Sequence, residues 1–182
     1  MEIVLDWNGP LIVPQRLPHS QTYVDSLRGR GVYLWYREYP NGDLVAYVGK
    51  TNDVASRFEQ WLVAILSMHC RVRTPDGGIL GDYSQLGFFQ RIMDLDESME
   101  VAKSEVRLTR FHYAFTTDIG NAEGYLIARL LVRAPTTISS HRPIVFGQNQ
   151  PPFDRSTVVV NSFSRLEEPA AQCGNLEYIL GI

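Results

Sequence analysis

The run Gly31-Val32-Tyr33-Leu34-Trp35-Tyr36-Arg37-Glu38-Tyr39, followed by Pro40-Asn41-Gly42 and then Asp43-Leu44-Val45-Ala46-Tyr47-Val48-Gly49, decides the fold. Two stretches rich in β-branched and aromatic residues flank a short polar break, the pattern of a β-hairpin. Pro40 suits the second position of a type I turn, and Gly42 the left-handed position that closes a three-residue loop with a bulge. With Tyr39 paired to Asp43, Trp35 stands opposite Tyr47 and Tyr33 opposite Gly49, so Tyr33 and Tyr47 share one face. A two-residue Asn41-Gly42 loop would shift the register and put the two tyrosines on opposite faces.

Outward from the hairpin, Thr51 or Asn52 is placed to cap a helix through VASRFEQWLVAILSM, with Phe58, Leu62, Ile65 and Leu66 on an apolar stripe and Arg57 in the second turn. Residues 71–81, with Pro75 and three glycines, read as a loop, and a helix is expected from about Tyr83 to Met93, ending in an acidic stretch. VRLTRFHYAF (106–115) alternates as a third strand. NAEGYLIARLLVR (121–133) reads as a helix stopped by Pro135, with Glu123 in its first turn. Before the hairpin, residues 1–28 are punctuated by Pro10, Pro14 and Pro18 and read as an extended arm or a short strand followed by loops; after the last helix, STVVVNSF reads as a strand.

Composition sets the frame. The 182 residues carry 17 basic and 20 acidic side chains, 45% apolar residues and 11% aromatics, enough for one core without a metal or disulfide staple. Cys70 and Cys173 form no CxxC pair, which argues against a cysteine-rich zinc module. The longest apolar run, Trp61 to Leu66, is far short of a membrane span, and residues 1–15 lack the marks of a secretion signal, so a soluble cytoplasmic protein is expected. The net charge of −3 argues against a purely electrostatic nucleic-acid binder. Fifteen of the 17 basic residues are nevertheless arginines, whose planar forks suit phosphates and base edges.

Gly31-Val32-Tyr33 and Tyr47-Val48-Gly49-Lys50-Thr51, with Arg57 ten residues after Tyr47 and Glu123 ahead of Leu126 and Ile127 on a later helix, form an ordered set. This set resembles the GIY-YIG nuclease superfamily over roughly residues 29–135. The resemblance implies an α+β fold: a small antiparallel three-stranded sheet flanked by helices, with an inserted helical segment near 71–100 and a C-terminal extension, 136–182, for recognition, packing or dimerisation. It implies divalent-metal-dependent hydrolysis of phosphodiester bonds, with Glu123 as the ligand for Mg²⁺ or Mn²⁺, Arg57 on the scissile phosphate, and Tyr33 or Tyr47 as the base. Two positions depart from the family pattern: Trp61 stands where many members have a histidine, and no asparagine follows Pro135 in APTTISSH.

The chemistry agrees with the residue types. Phosphodiester hydrolysis needs an activated water and neutralisation of charge on the phosphoryl and leaving oxygens. One carboxylate is a sufficient protein ligand for Mg²⁺ when waters and substrate phosphate complete the shell. A phenol with an ordinary pKa near 10 is a poor base at pH 7, so a tyrosine base requires a neighbouring cation such as Arg57, Lys50 or the metal. Lys50 is a further candidate as partner of a phosphate or phenolate, and His69 follows the helix that carries Arg57. Taken singly, Tyr33 and Tyr47 are ordinary strand residues, Arg57 a solvent-facing one and Glu123 an early-helix charge; their combination in order is what favours a site.

No separate DNA-binding module is expected after the catalytic segment, and the expected protein is a compact type II restriction endonuclease. Cutting both strands of double-stranded DNA calls for two active sites, hence a homodimer. Arg71, Arg73, Arg110 and Arg142 are candidate DNA contacts. The alternatives are a phage or antibacterial nuclease of low sequence specificity, and a catalytically inactive nucleic-acid or protein-binding module.

Overall fold

The fold is seen in a computed structural model that describes residues 1–15, 17–40, 42–67, 72–73, 79–80, 85–133, 144–145, 150–166 and 176–180. Along the chain run β1 (Glu2–Leu11), α1 (Gln21–Ser26), β2 (Gly31–Glu38), β3 (Leu44–Thr51) and α2 (Val54–Leu66). They are followed by β4 (Val72–Arg73), β5 (Ile79–Leu80), α3 (Gln85–Met93), α4 (Leu95–Leu108), β6 (Thr109–Phe115) and α5 (Ile119–Arg133). The chain continues with β7 (Ile144–Val145), β8 (Val158–Leu166) and a short helix α6 at 176–180.

The class is α+β, but the three-stranded sheet expected from the sequence is too small. Five substantial strands and the two-residue β7 form one mixed sheet in the order β7-β3-β2-β6-β1-β8. The β3-β2-β6-β1 neighbours are antiparallel, whereas β1 with β8 and β3 with β7 are parallel. The added strands come from both chain ends. Ile3, Leu5 and Trp7 alternate into the core with Val159 of β8, and the Trp7 indole donates to Asn161 Oδ1 at 2.8 Å, which satisfies a fully buried N–H.

The hairpin takes the longer loop. The Tyr39 N–H donates to the Asp43 carbonyl at 2.9 Å, the Gly42 N–H to the Tyr39 carbonyl at 2.9 Å, and Gly42 has φ +92°. Trp35 therefore pairs with Tyr47 and Tyr33 with Gly49. Period-2 alternation then divides β2 between two cores. Val32, Leu34 and Tyr36 face α5 and α6 with Leu44, Ala46 and Val48, while Tyr33 joins Phe111, Tyr113, Phe58 and Val54 beneath α2. A smaller cluster of Ile65, Val101, Ala102 and Val106 seats α4 against α2.

Helix α4 is absent from the sequence reading, which ended a helix in the acidic stretch and began a strand at 106. Asp96 and Glu97 lie in its first turn, where they oppose the helix dipole favourably, and its buried face carries Val101, Ala102, Glu105 and Val106. Glu105, 1% exposed, bonds Arg37 Nη1 at 2.6 Å and the Tyr39 hydroxyl, while Arg37 Nε donates to Thr109 Oγ1 at 2.7 Å. Arg37 also lies 4.4 Å from the centre of the Trp35 ring. Burial, opposed by the Arg37 charge and reinforced by that of Glu105, pushes the Tyr39 phenol well above the ordinary tyrosine value.

The opposite face of β6 holds His112, fully buried and stacked on Tyr36 at 5.6 Å, with neither ring nitrogen hydrogen-bonded among the described residues. Burial, helped by the charge of Arg110 and only weakly opposed by the backbone of Asn8, holds its pKa down at about 3 against an ordinary 6.5.

Two outcomes test this packing. Glu105→Ala strands the Arg37 charge in the core and is expected to cost about 3–5 kcal/mol in urea denaturation. Because His112 is neutral in the fold and protonates in the unfolded chain below pH 6.5, stability falls as pH drops from 6.5 towards 3. In His112→Phe, which keeps the ring stack, that part of the acid loss disappears in denaturation curves taken across the same range, and stability at pH 7 is equal or higher.

Candidate active site

Helix α2 starts with Asp53, not with Thr51 or Asn52. The Asp53 carboxylate accepts the Ser56 N–H at 3.1 Å, and Thr51 Oγ1 in turn accepts the Asp53 N–H at 3.1 Å. The Val54 N–H donates to the Gly29 carbonyl at 3.1 Å and the Ala55 N–H to that of Leu27 at 3.2 Å, which ties the helix start to the loop entering β2. One turn on, Arg57 Nε donates to the Tyr33 hydroxyl at 2.8 Å, and its Nη1 reaches Gln60 Oε1 on the exposed side at 3.4 Å. The guanidinium is thus held firmly at Nε and by a longer bond at Nη1, with its outer edge on the exposed side.

The Tyr33 hydroxyl is placed by Gly49 across the hairpin. A methyl group on Gly49 would overlap the phenol oxygen and the adjoining ring carbons, so only glycine lets the ring lie flat across β3. Trp35, Tyr47, Tyr33 and Phe111 form a continuous stack, with ring centres separated by 5.5, 6.1 and 5.3 Å. Trp61 packs against Phe58 at 6.0 Å and Phe111 at 6.3 Å, and the Arg37 guanidinium lies 5.6 Å from its ring. The position where the resemblance expects a histidine therefore contributes an apolar wall.

Burial pushes the Tyr33 phenol up to about 12; the Arg57 hydrogen bond and charge pull it down, and Tyr47 adds to the rise. Desolvation outweighs the arginine, so Tyr33 is a neutral phenol at pH 7.

On the next residue of β3, Lys50 Nζ bonds Glu123 Oε2 at 2.9 Å, with the lysine side chain 45% and the glutamate 13% exposed. Helix α5 begins at Ile119, which puts Glu123 at the start of the second turn and corrects its expected first-turn position. Asp118 accepts the Asn121 N–H at 3.2 Å, and Asn121 Oδ1 accepts the Asp154 N–H at 2.8 Å. Phe153 packs closely over Gly124. The segment leading into β8 thereby holds the start of α5 in place.

The predicted residues thus form two groups: Tyr33, Tyr47 and Arg57 under α2, and Lys50 with Glu123 beside α5. Their link is the backbone of β3, where Gly49 touches Tyr33 and Lys50 follows it. Arg110 does not join them. It lies on the face of Tyr36 and His112, with Nη1 donating to the carbonyls of Arg107 at 3.1 Å and Leu108 at 3.4 Å. His69, Arg71 and Arg142 lie outside the described residues, as do both cysteines and Pro135; Arg73 is described in backbone only, within β4.

No family model, curated protein or solved structure matches this chain. The site therefore stands on its own geometry. Among the described residues no group of three or more His, Cys, Asp or Glu side chains comes together, and no helix is long and apolar enough to cross a membrane. Glu123 fits a hard divalent ion as one carboxylate of a shell otherwise filled by waters and phosphate, and not as part of a protein cage. Gln60 and Phe111 were missed by sequence reasoning. Gln60 was accessible through its i+3 spacing from Arg57, but nothing local connects Phe111 to Tyr33.

Gly49→Ala forces the Tyr33 phenol away from Arg57 and is expected to cost about 1–3 kcal/mol in urea denaturation. Tyrosinate absorbance should show the group that ionises near 12 moving towards 10 as its hydroxyl gains water. Unchanged stability and titration would mean that the added methyl is accommodated without displacing the Tyr33 phenol.

Proposed function

We propose that this protein is a divalent-metal-dependent endonuclease that hydrolyses phosphodiester bonds in double-stranded DNA, acting as a restriction-type homodimer with one active site per chain. The observation that supports it is the Arg57–Tyr33 hydrogen bond at 2.8 Å, formed against Gly49, with the Lys50–Glu123 pair on the other face of the sheet from the next residue of β3. A guanidinium oriented through Nε presents its outer edge to the non-bridging oxygens of a phosphate, with the long 3.4 Å bond from Nη1 to Gln60 exchanged for one to a phosphate oxygen. Tyr33 orients that arginine, and as a neutral phenol it can pass a hydrogen bond to an incoming water. Removing the water's proton through Tyr33 requires further positive charge at the hydroxyl, because Arg57 alone leaves the group near 12. Glu123 would hold Mg²⁺ or Mn²⁺, which when bound supplies charge neutralisation at the phosphoryl and leaving oxygens. The second cationic side chain, Lys50, follows Gly49 on β3 and suits the developing negative charge.

A second reading, a nucleic-acid-binding module without turnover, is favoured by two specific features: the neutral Tyr33 and the apolar wall built by Trp61. A nuclease of low sequence specificity remains the reading within the same chemistry.

Purified protein and Glu123→Ala should be incubated with unmethylated phage and plasmid DNA in Mg²⁺, Mn²⁺ or chelator, and the ends mapped. The expected result is discrete metal-dependent fragments, with cleavage in the variant down on the order of a hundred-fold or more. Fragments without a fixed pattern would select the low-specificity nuclease, and DNA that is bound but intact would select the binding module.

A further inference from the structure

Lys50 and Glu123 are unequal partners. Glu123 is 13% exposed, on a helix whose start is fixed by Asp118, Asn121 and the packing of Phe153 over Gly124; Lys50 is 45% exposed on a flexible four-carbon stem. The ammonium lies 2.9 Å from Oε2, on the carboxylate that a divalent ion would need. Mg²⁺ binds oxygen at about 2.0–2.1 Å, so an ammonium and the ion cannot occupy the same lone-pair direction, and on separate oxygens of one carboxylate they repel strongly.

We propose that Lys50 is a built-in counter-ion that competes with the divalent cation for Glu123, and that loading the site moves the ammonium off the carboxylate and onto a phosphate oxygen of the substrate. The inference rests on Glu123 as the cation ligand. It gives Lys50 two successive partners of the same charge. Without a cation it neutralises a carboxylate that is only 13% exposed. With a cation in place, the mobile side chain leaves, since Glu123 is held by the packing of α5. Such an exchange favours a site that is loaded with metal and DNA together: the phosphate rewards the departing lysine and also supplies ligands to the ion. Cation affinity and DNA affinity are then coupled through one side chain.

The test measures Mn²⁺ binding directly, by the electron paramagnetic resonance signal of free Mn²⁺, on the full chain without DNA. Wild type, Lys50→Met, Lys50→Arg and Glu123→Gln are compared, with circular dichroism melts showing that each is folded. Lys50→Met is expected to bind Mn²⁺ about three- to ten-fold more tightly than wild type, although it has lost a residue of the site. Lys50→Arg, which retains a cation, should stay near wild type, and Glu123→Gln should lose the binding. With a DNA duplex present, the tightening of Mn²⁺ binding by DNA should shrink in Lys50→Met. Equal or weaker Mn²⁺ binding by Lys50→Met, with wild type still binding through Glu123, would overturn the competition and leave the metal site standing. Absence of saturable Mn²⁺ binding in wild type and Lys50→Met alike would overturn both.

Discussion

The turn at Tyr39–Asp43 sets everything on the sheet's two faces. Its paired N–H to carbonyl bonds and the left-handed Gly42 fix the hairpin register, and with a side-chain period of two, a one-residue slip would exchange the faces of β3 relative to β2. In the register that forms, Tyr33, Trp35 and Tyr47 lie together under α2, and Val32, Leu34 and Val48 face α5. Gly49 falls opposite Tyr33, where its missing side chain is needed, and Lys50 falls on the side of Glu123. A slip would put Lys50 among the aromatic rings.

The second constraint is electrostatic. Arg37 is taken almost wholly out of water, and it is tolerable there because Glu105, Thr109 and the faces of Trp35 and Trp61 surround it. This network joins β2, α4 and β6, and through Trp35 it backs the stack that includes Tyr33. Rigidity and chemistry meet at that stack: the packing that positions the Tyr33 hydroxyl also desolvates it and raises its pKa, so the ring is better suited to orient Arg57 than to act unaided as a base. The Lys50–Glu123 pair lies on the other face of the sheet, with the lysine side chain 45% exposed.

Much of the site was legible because its signals are local. Both strands of the hairpin follow from alternation and the Pro-Asn-Gly break, α2 and α5 from apolar spacing, and the order of Tyr33, Tyr47, Arg57 and Glu123 from their places on these elements. Less local features were missed. The prolines at 10, 14 and 18 masked the clean alternation of Ile3, Leu5 and Trp7, and no local rule says that a strand at one end of the chain pairs with one at the other. Helix α4 was hidden because its buried face includes a glutamate, which looks solvent-facing until Arg37 is brought to it from 68 residues away.

The sequence by itself determined the hairpin, its possible registers and the helix-borne placement of Arg57 and Glu123, since turns, alternation and helical spacing act between near neighbours. Only the tertiary structure decided that the sheet has strands added at both edges, that burial outweighs Arg57 in raising the Tyr33 pKa, that position 49 must be glycine, that Trp61 is a wall and that Lys50 lies on Glu123. Those outcomes depend on desolvation and on contacts between distant segments, and neither is defined until the chain has closed around them.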